Sequence, residues 1–279
     1  MRPPDWAPEA IQAPDTLPVD GPAASARFAP IDLTRPRPRW IDVTTRLMDF
    51  AIITYAVEPE ALAGHLPPGF APDVRALAGG RRCALVSAVP FRDRDFRFGA
   101  VPWLRFSMGQ TNYRAYVLHR GRPCVWFFGT CLTRPYVYAP ILWWKLPWYA
   151  AAMQFDTRWE GDLCRSYRLR TQSRWGAAEV ELEGTDRPMG CLDGFGDEEE
   201  TAVILTHPLT GYYYRRDGKV GSYAIWHDRL NLHRARPLHT HFQVFEDLGL
   251  VRPGAVPHSV LVQREAEFVI RLPPRAVQP

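Results

Sequence analysis

From residue 40 onward the chain is a succession of short apolar runs broken by proline, glycine and charged pairs. "LMDFAIITYAV" (47–57) is apolar at nearly every position, as a strand buried on both faces must be. "EPEALAGHL" (58–66) carries Leu62 and Leu66 four apart behind Pro59, a short helix that "LPPGF" (66–70) stops. "CALVSAVPF" (83–91), "NYRAYVLH" (112–119) and "CVWFFGTCL" (124–132) read as further strands, the last two joined through the turn "RGRP" (120–123). Residues 136–146 read as helix ended by Pro147, and a strand follows through Phe155. "CRSYRLRTQ" (164–172) and "AAEVELEG" (177–184) alternate polar and apolar residues as half-exposed strands do. "DEEETAVILT" (197–206) puts acids in the first turn of a helix, where the macrodipole favours them. "GYYYRRDGKVGSYAIWH" (211–227) is a hairpin turning at Asp217-Gly218, and "LHRARPLHTHF" (232–242) reads as a loop. "SVLVQREAEFVIRL" (259–272) is the closing strand. About ten short strands with two or three small helices predict a single α+β domain on a large antiparallel sheet or barrel.

Residues 1–39 break this pattern, with nine prolines, no sustained apolar period, and five acids against five arginines. Such a segment cannot bury enough surface to offset the entropy of ordering it. It reads as a disordered or surface-wrapping extension, with the folded domain over residues 40–275. At 279 residues, 46% hydrophobic and 23% charged, the rest has the composition of a soluble globular chain with a sizeable core. The net charge of +4 is scattered through mixed stretches such as "FRDRDFRF" (91–98), which argues against a nucleic-acid partner. Five cysteines without a CxxC pair, and no apolar leader in residues 1–30, predict free thiols and a cytoplasmic location. The longest apolar run, Tyr136–Met153, is interrupted by Pro140, Lys145 and Pro147, so no membrane span is expected.

Candidate chemistry is sparse. There is no GxGxxG, P-loop or GxSxG, so nucleotide binding and serine hydrolysis lack support. His227, His233, His239 and His241 fall close together, and "HTH" (239–241) on a strand would put both rings on one face. No carboxylate stands at fitting spacing before Glu246, so neither a metal nor another cofactor is expected. Cys131 has only Arg134 nearby to lower its pKa and reads as a buried strand cysteine. "ILWWKLPWYAA" (141–151) sets Lys145, one of only two lysines among 34 basic residues, between tryptophans. Desolvation there would free a nucleophilic amine, or else the stem lies on the rings with its ammonium in water; the spacing favours the second. "NYRAY" (112–116) places Asn112, Arg114 and Tyr116 on one strand face. If that face lines an interior, Arg114 must be paired or bind an anion; if it faces solvent, it is an ordinary polar edge.

These segments resemble the DUF2071 (YqjF-like) family, through "VEPEALAGHLPPGF" (57–70), "NYRAYVLHRGRPCVWFFG" (112–129), "LPWYAAAM" (146–153) and "GKVGSYAIWH" (218–227). That family is similar in turn to the acetoacetate decarboxylase-like superfamily. The resemblance implies a curved antiparallel sheet closing into an irregular barrel, with a few short helices, around a small-molecule cavity. In acetoacetate decarboxylases a Y-x-E-A strand supplies a glutamate and an F-P-K-K-L-A segment supplies paired lysines, one of which forms the Schiff base. Laid on this chain, the glutamate's place falls on Arg114 and the two lysines' places on Trp148 and Tyr149. The decarboxylase chemistry is therefore not carried over. Lys145 lies two residues before Pro147 instead of after it, and in an extended chain would share a face with Tyr149.

The sequence thus points to a small-molecule-binding protein whose ligand is anionic or carbonyl-bearing, held by Asn112, Arg114 and Tyr116 and walled by Trp126 and Trp148. Tyr149, His227 and Lys145 are the candidate catalytic groups for a lyase, isomerase or cyclase that dispenses with the lysine nucleophile. The alternatives are a non-catalytic metabolite-binding or sensing protein, and an interaction module that docks a partner or a second copy through its proline-rich arm.

Overall fold

The computed structural model describes residues 26–133 and 138–277, the side chain of Ala139 aside. Its strands are β1 (Val43–Val57), β2 (Phe70–Pro72), β3 (Arg75–Ala76), β4 (Arg82–Phe98), β5 (Phe106–His119), β6 (Arg122–Thr133) and β7 (Trp148–Glu160). There follow β8 (Leu163–Ser173), β9 (Ala178–Pro188), β10 (Thr210–Tyr214), β11 (Val220–His227), β12 (His233–Phe242) and β13 (Ser259–Val277). Five short helices punctuate them: α1 (Pro30–Leu33), α2 (Pro59–Ala63), α3 (Tyr138–Trp144), α4 (Glu198–Thr206) and α5 (Gln243–Asp247). The α+β expectation of a large sheet with a few small helices holds.

The pairings close on themselves. A nine-stranded ring runs β6-β7-β8-β9-β12-β13-β1-β4-β5 and returns to β6. A second ring leaves β6 through β10 and β11 to rejoin β13. Both share the wall β13-β1-β4-β5-β6. Two junctions are parallel, β6–β7 and β6–β10, where the sequence predicts only antiparallel neighbours. "LHRARPLHTHF", read as a loop, is instead β12, which pairs with β9 along most of its length. Its proline hid the strand. A register shift after Pro237 places the residue that cannot donate at an irregularity, where the ladder tolerates it.

The shared wall is buried on both faces, which is why "LMDFAIITYAV" carries so little polarity. Ala51, Ile53, Tyr55 and Val57 enter a first core inside the nine-stranded ring, with Tyr113, Ala115, Trp126 and Tyr167. Leu47, Phe50 and Ile52 enter a second core with Leu85, Tyr116, Phe127, Leu205 and Phe268. Leu47 and Phe50 are three apart yet face the same core. Asp49 between them has φ 53°, and the β1–β4 register shifts there. Aspartate tolerates this left-handed conformation better than most residues do.

The Asp49 carboxylate, 2% exposed, accepts from Arg92, from Thr157 Oγ1 at 2.7 Å and from Trp159 Nε1 at 2.8 Å. One side chain therefore fixes the bulge and ties β1 to β4 and β7. Fully buried Asp42 plays a matching part for the chain end, accepting from Arg39, from Arg271 Nη1 at 2.7 Å and from Leu272 N at 3.1 Å. Burial alone would raise its pKa, but these donors hold the carboxyl well below the usual carboxylate range.

Asp49→Ala strands a guanidinium, a hydroxyl and an indole N–H, and is expected to cost about 3 kcal/mol in urea unfolding with little change in slope. Asp49→Asn keeps an acceptor oxygen and the left-handed preference and loses less; an asparagine variant as unstable as alanine would refute the backbone part of this account. For Asp42, the depressed folded-state pKa means its stabilisation is complete above the unfolded value of about 3.9 and is lost as pH falls below it. The melting temperature of the wild type should drop more steeply on acidification below that value than that of Asp42→Asn.

Candidate functional site

The inner stripe of β5 carries the polar residues that the sequence singled out, and the stripe faces the interior. Asn112 Oδ1 accepts from Gln110 Nε2 and from Thr130 Oγ1, both at 2.8 Å. Two residues on, Arg114 is 8% exposed and lies against the second core. Its Nη2 donates to the backbone oxygen of Leu205 at 2.8 Å and to the Tyr116 hydroxyl at 3.2 Å. That hydroxyl also contacts Leu205 O at 3.2 Å and Ser87 Oγ at 3.0 Å, and Ser87 reaches Thr54 Oγ1 at 2.8 Å. Arg114 makes no ion pair among the described residues, and its Nε is buried without a hydrogen-bond partner.

Leu205 and Thr206 are the last two residues of α4. The helix forms where the acids of "DEEETAVILT" predict it, with Asp197 as N-cap accepting from Glu200 N at 2.8 Å. Its free C-terminal carbonyls therefore point at the stripe. While Leu205 O takes Arg114 and Tyr116, Thr206 O faces His227 Nε2 at 2.8 Å. The other nitrogen of His227, Nδ1, faces Asp228 O at 2.7 Å. A neutral imidazole has one donor, so one of these contacts sets lone pair against lone pair. Protonation would resolve the conflict, yet burial dominates and, with His207 and Arg114 nearby, lowers the pKa to about 4. The lowered pKa favours the neutral ring at pH 7. His207 stands edge-on to it at 4.7 Å, its own pKa lowered by burial, and Phe28 covers His207 at 4.9 Å.

The remaining candidates separate. Trp148, half-buried, packs against the second core and the small cluster of Met108 and Leu132. Trp126 lies on the opposite face of the wall, 1% exposed in the first core between Phe70 and Tyr214. Tyr149 also belongs to the first core, its ring stacked on Trp175 at 4.2 Å and its hydroxyl without a partner. Burial carries its pKa far above the phenol range despite Arg216 at 5.4 Å, so its proton is held more tightly than a free phenol's. Lys145 ends α3 in a left-handed turn at φ 56° with its side chain in solvent, so it does not share Tyr149's surroundings. Strand parity thus removes Trp126 and Tyr149 from the Arg114 cluster, and a turn removes Lys145. Cys131 is fully buried, its pKa pushed up to about 12 by burial. His239 and His241 each sit near one carboxylate, Glu179 at 3.9 Å and Glu246 at 3.5 Å; among the described residues no group of three or more ligand-type side chains could hold a metal.

Sequence reasoning missed the end of α4, Ser87, Thr54 and His207. Main-chain carbonyls leave no trace in residue identity, and nothing in "DEEETAVILTH" names β5 as the strand its last turn meets. No helix among the described residues is long and apolar enough to cross a membrane.

No curated protein matches the chain. Solved structures do. An acetoacetate decarboxylase from Legionella pneumophila superposes with a TM-score of 0.56 at 13% identity, over 89% of this chain and 94% of that one. An acetoacetate decarboxylase-like enzyme from Sphingomonas wittichii gives 0.58 at 9% identity, over 86% and 94%. The enduracididine biosynthesis enzyme MppR, complexed with pyruvate, gives 0.55 at 12% identity, over 88% and 92%. At such identities the likeness establishes the acetoacetate decarboxylase-like fold and nothing finer. Residues 44–267, most of the chain, match a single sequence family, and the protein belongs to DUF2071, a family described as an uncharacterised conserved protein.

Proposed function

We propose that the chain binds a small keto acid at the Arg114 cluster and enolises it without a lysine Schiff base. One observation carries this reading: a buried guanidinium that makes no ion pair among the described residues. The end of α4 offers about half a negative charge against a full positive one. A bound carboxylate would supply the rest, and the unpartnered Nε marks where a second hydrogen bond can form. Pyruvate, named as the ligand in one MppR structure, carries the required charge.

The adjoining groups suit proton abstraction next to a carbonyl. Arg114 and the Tyr116 hydroxyl would donate to the ligand's carboxylate and keto oxygen. Neutral His227 would take the α-proton; the C–H electron pair becomes the C=C bond of the enolate as the C=O π pair moves onto the keto oxygen. Reprotonation elsewhere, loss of a leaving group or ring closure then gives isomerase, lyase or cyclase chemistry. Lys145 and Tyr149 take no part. A second reading, binding without turnover, is favoured by the two carbonyls that occupy both nitrogens of His227.

Proton NMR of pyruvate in D2O separates these readings. The wild type should bind pyruvate and wash its methyl protons out, His227→Ala should bind without exchange, and Arg114→Gln should lose binding by at least about tenfold. Undiminished binding in Arg114→Gln would defeat the anion-site reading, while wild-type binding without exchange would leave the sensing one.

The charge state of His227 has its own signature. With a folded pKa of about 4 and an unfolded one of about 6.5, its contribution is fully present above the higher value. It is lost as pH falls between the two, because the unfolded chain accepts a proton that the folded chain refuses. Up to about 3 kcal/mol should disappear over that window. His227→Gln should flatten the melting-temperature profile there, leaving the smaller part due to His207.

A further inference from the structure

Residues 26–39 are attached to the rest of the protein at two ends of unequal strength. At the far end, Arg39 is fixed to buried Asp42 through its backbone N–H and through Nη2, both at 2.8 Å, and Nη2 also donates to Leu272 O. Arg271 Nη1 donates to Arg37 O at 3.3 Å, and Arg35 pairs with Glu267. At the near end, Arg27 bonds both oxygens of Asp197 at 2.7 and 2.6 Å, and Phe28 N donates to Glu199 at 3.2 Å. Those three charged side chains are 39 to 45% exposed, and ion pairs so placed contribute little. Between the two ends, α1 buries no residue, and Ile31 is 74% exposed. The hydrogen bonds within it are local, Asp32 N to Ala29 O at 2.9 Å and Thr34 N to Ile31 O at 3.2 Å. A stretch with so few contacts to the rest of the fold opens at low cost.

What the near end covers is the buried cluster. Phe28, half-buried against the second core, meets His207 edge-on at 4.9 Å, and His207 meets His227 at 4.7 Å. His227 and Arg114 contact the consecutive carbonyls of Thr206 and Leu205. The Arg229 guanidinium lies over the Phe28 ring at 4.5 Å. Arg229 also borders a cavity of about 320 Å³, together with Leu33, Arg35, Trp226 and Asp228. Phe28 thus touches both the rim of that space and the first of the two histidines. Contact by contact, the row Arg229, Phe28, His207, His227 leads from the rim to Arg114.

With Phe28 seated, His227 is 1% exposed and Arg114 8%, so a ligand for them requires part of the cover to move. We propose that residues 26–34 form a strap, hinged at the Arg35–Arg39 anchor, whose Phe28 ring closes the passage to the Arg114–His227 cluster. Release of Arg27 from α4 opens it. The strap's use as a gate rests on the Arg114 cluster being a ligand site; the passage itself does not.

Diethyl pyrocarbonate acylates neutral imidazole, the form that burial favours for His207 and His227, and peptide mass spectrometry reads the rate at each ring. His239, 54% exposed, is the internal standard, and fully buried Cys131, probed with iodoacetamide, reports general loosening. In the full-length wild type both rings should react at least about tenfold more slowly than His239. Arg27→Ala should speed both by about threefold to fivefold. Phe28→Ala should do so by at least about tenfold, with His239 and Cys131 unchanged in either variant. Sodium chloride at about 1 M should bring the wild type toward Arg27→Ala, because screening weakens an exposed pair. Should Phe28→Ala fail to fold, Arg27→Ala and the salt series carry the comparison. Unaltered histidine rates in the folded variants overturn the proposal, as does a wild-type His227 that reacts as fast as His239. Acceleration of Cys131 in step with the histidines overturns it too, by making the segment a general prop of the fold. The reagent needs no pyruvate site, so a failure of the keto-acid reading leaves this result standing.

Discussion

A wall buried on both of its faces is the constraint that organises this molecule. Strands β13, β1, β4, β5 and β6 separate two cores, so each side chain on them is committed to one or the other by position alone. A one-residue slip would exchange the two sets. The bulges are therefore structural instructions. Asp49 resets the phase of β1, and an extra residue at Phe128 resets β6 between its pairings with Tyr113 and Arg114. Because the Asp49 carboxylate is bonded to β4 and β7 as well, the phase of one strand and the closure of the ring rest on the same side chain.

Against this background the treatment of buried charge is informative. Arg75, whose side chain is 11% exposed, is answered by Asp73 at 2.9 Å and Glu200 at 2.6 Å. Asp42 and Asp49 are answered by arginines. Asp93, fully enclosed, has its pKa raised to about 7 by burial and accepts from Thr45 at 2.9 Å, so it approaches neutrality. Each is compensated in the way that a purely architectural charge requires. Arg114 is the exception. Its neighbours are hydroxyls, main-chain oxygens and a histidine held neutral, and all of them leave its charge standing.

Much of this was legible in the chain. The continuous apolarity of "LMDFAIITYAV", the acids that open α4, the Asp217-Gly218 hairpin and the polar stripe of "NYRAY" each follow from period, capping or turn chemistry. What failed did so for definable reasons. Pro237 disguised a strand because the bulge that absorbs it is a tertiary feature. Trp126 and Tyr149 were grouped with Arg114 because alternation tells which residues share a face but not that both faces are interior. Lys145 would share a face with Tyr149 only in an extended chain, and its left-handed turn at the end of α3 does not meet that condition. The acceptors that hold the site together are peptide carbonyls, which any sequence would supply.

Those carbonyls give α4 a place disproportionate to its nine residues. At one end Asp197 caps the helix and is gripped by Arg27; at the other, Leu205 and Thr206 receive Arg114, Tyr116 and His227. The ring of Phe28, one residue past that grip, lies on His207 just beyond the helix end. The N-terminal segment therefore holds the helix at both ends, and the helix in turn fixes the oxygens that the buried cluster bonds. Any ligand carboxylate at Arg114 must compete with Leu205 O or use the free Nε. On the proposed function that competition would depend on how firmly residues 26–28 hold α4, which links the interior cluster to contacts made on the surface.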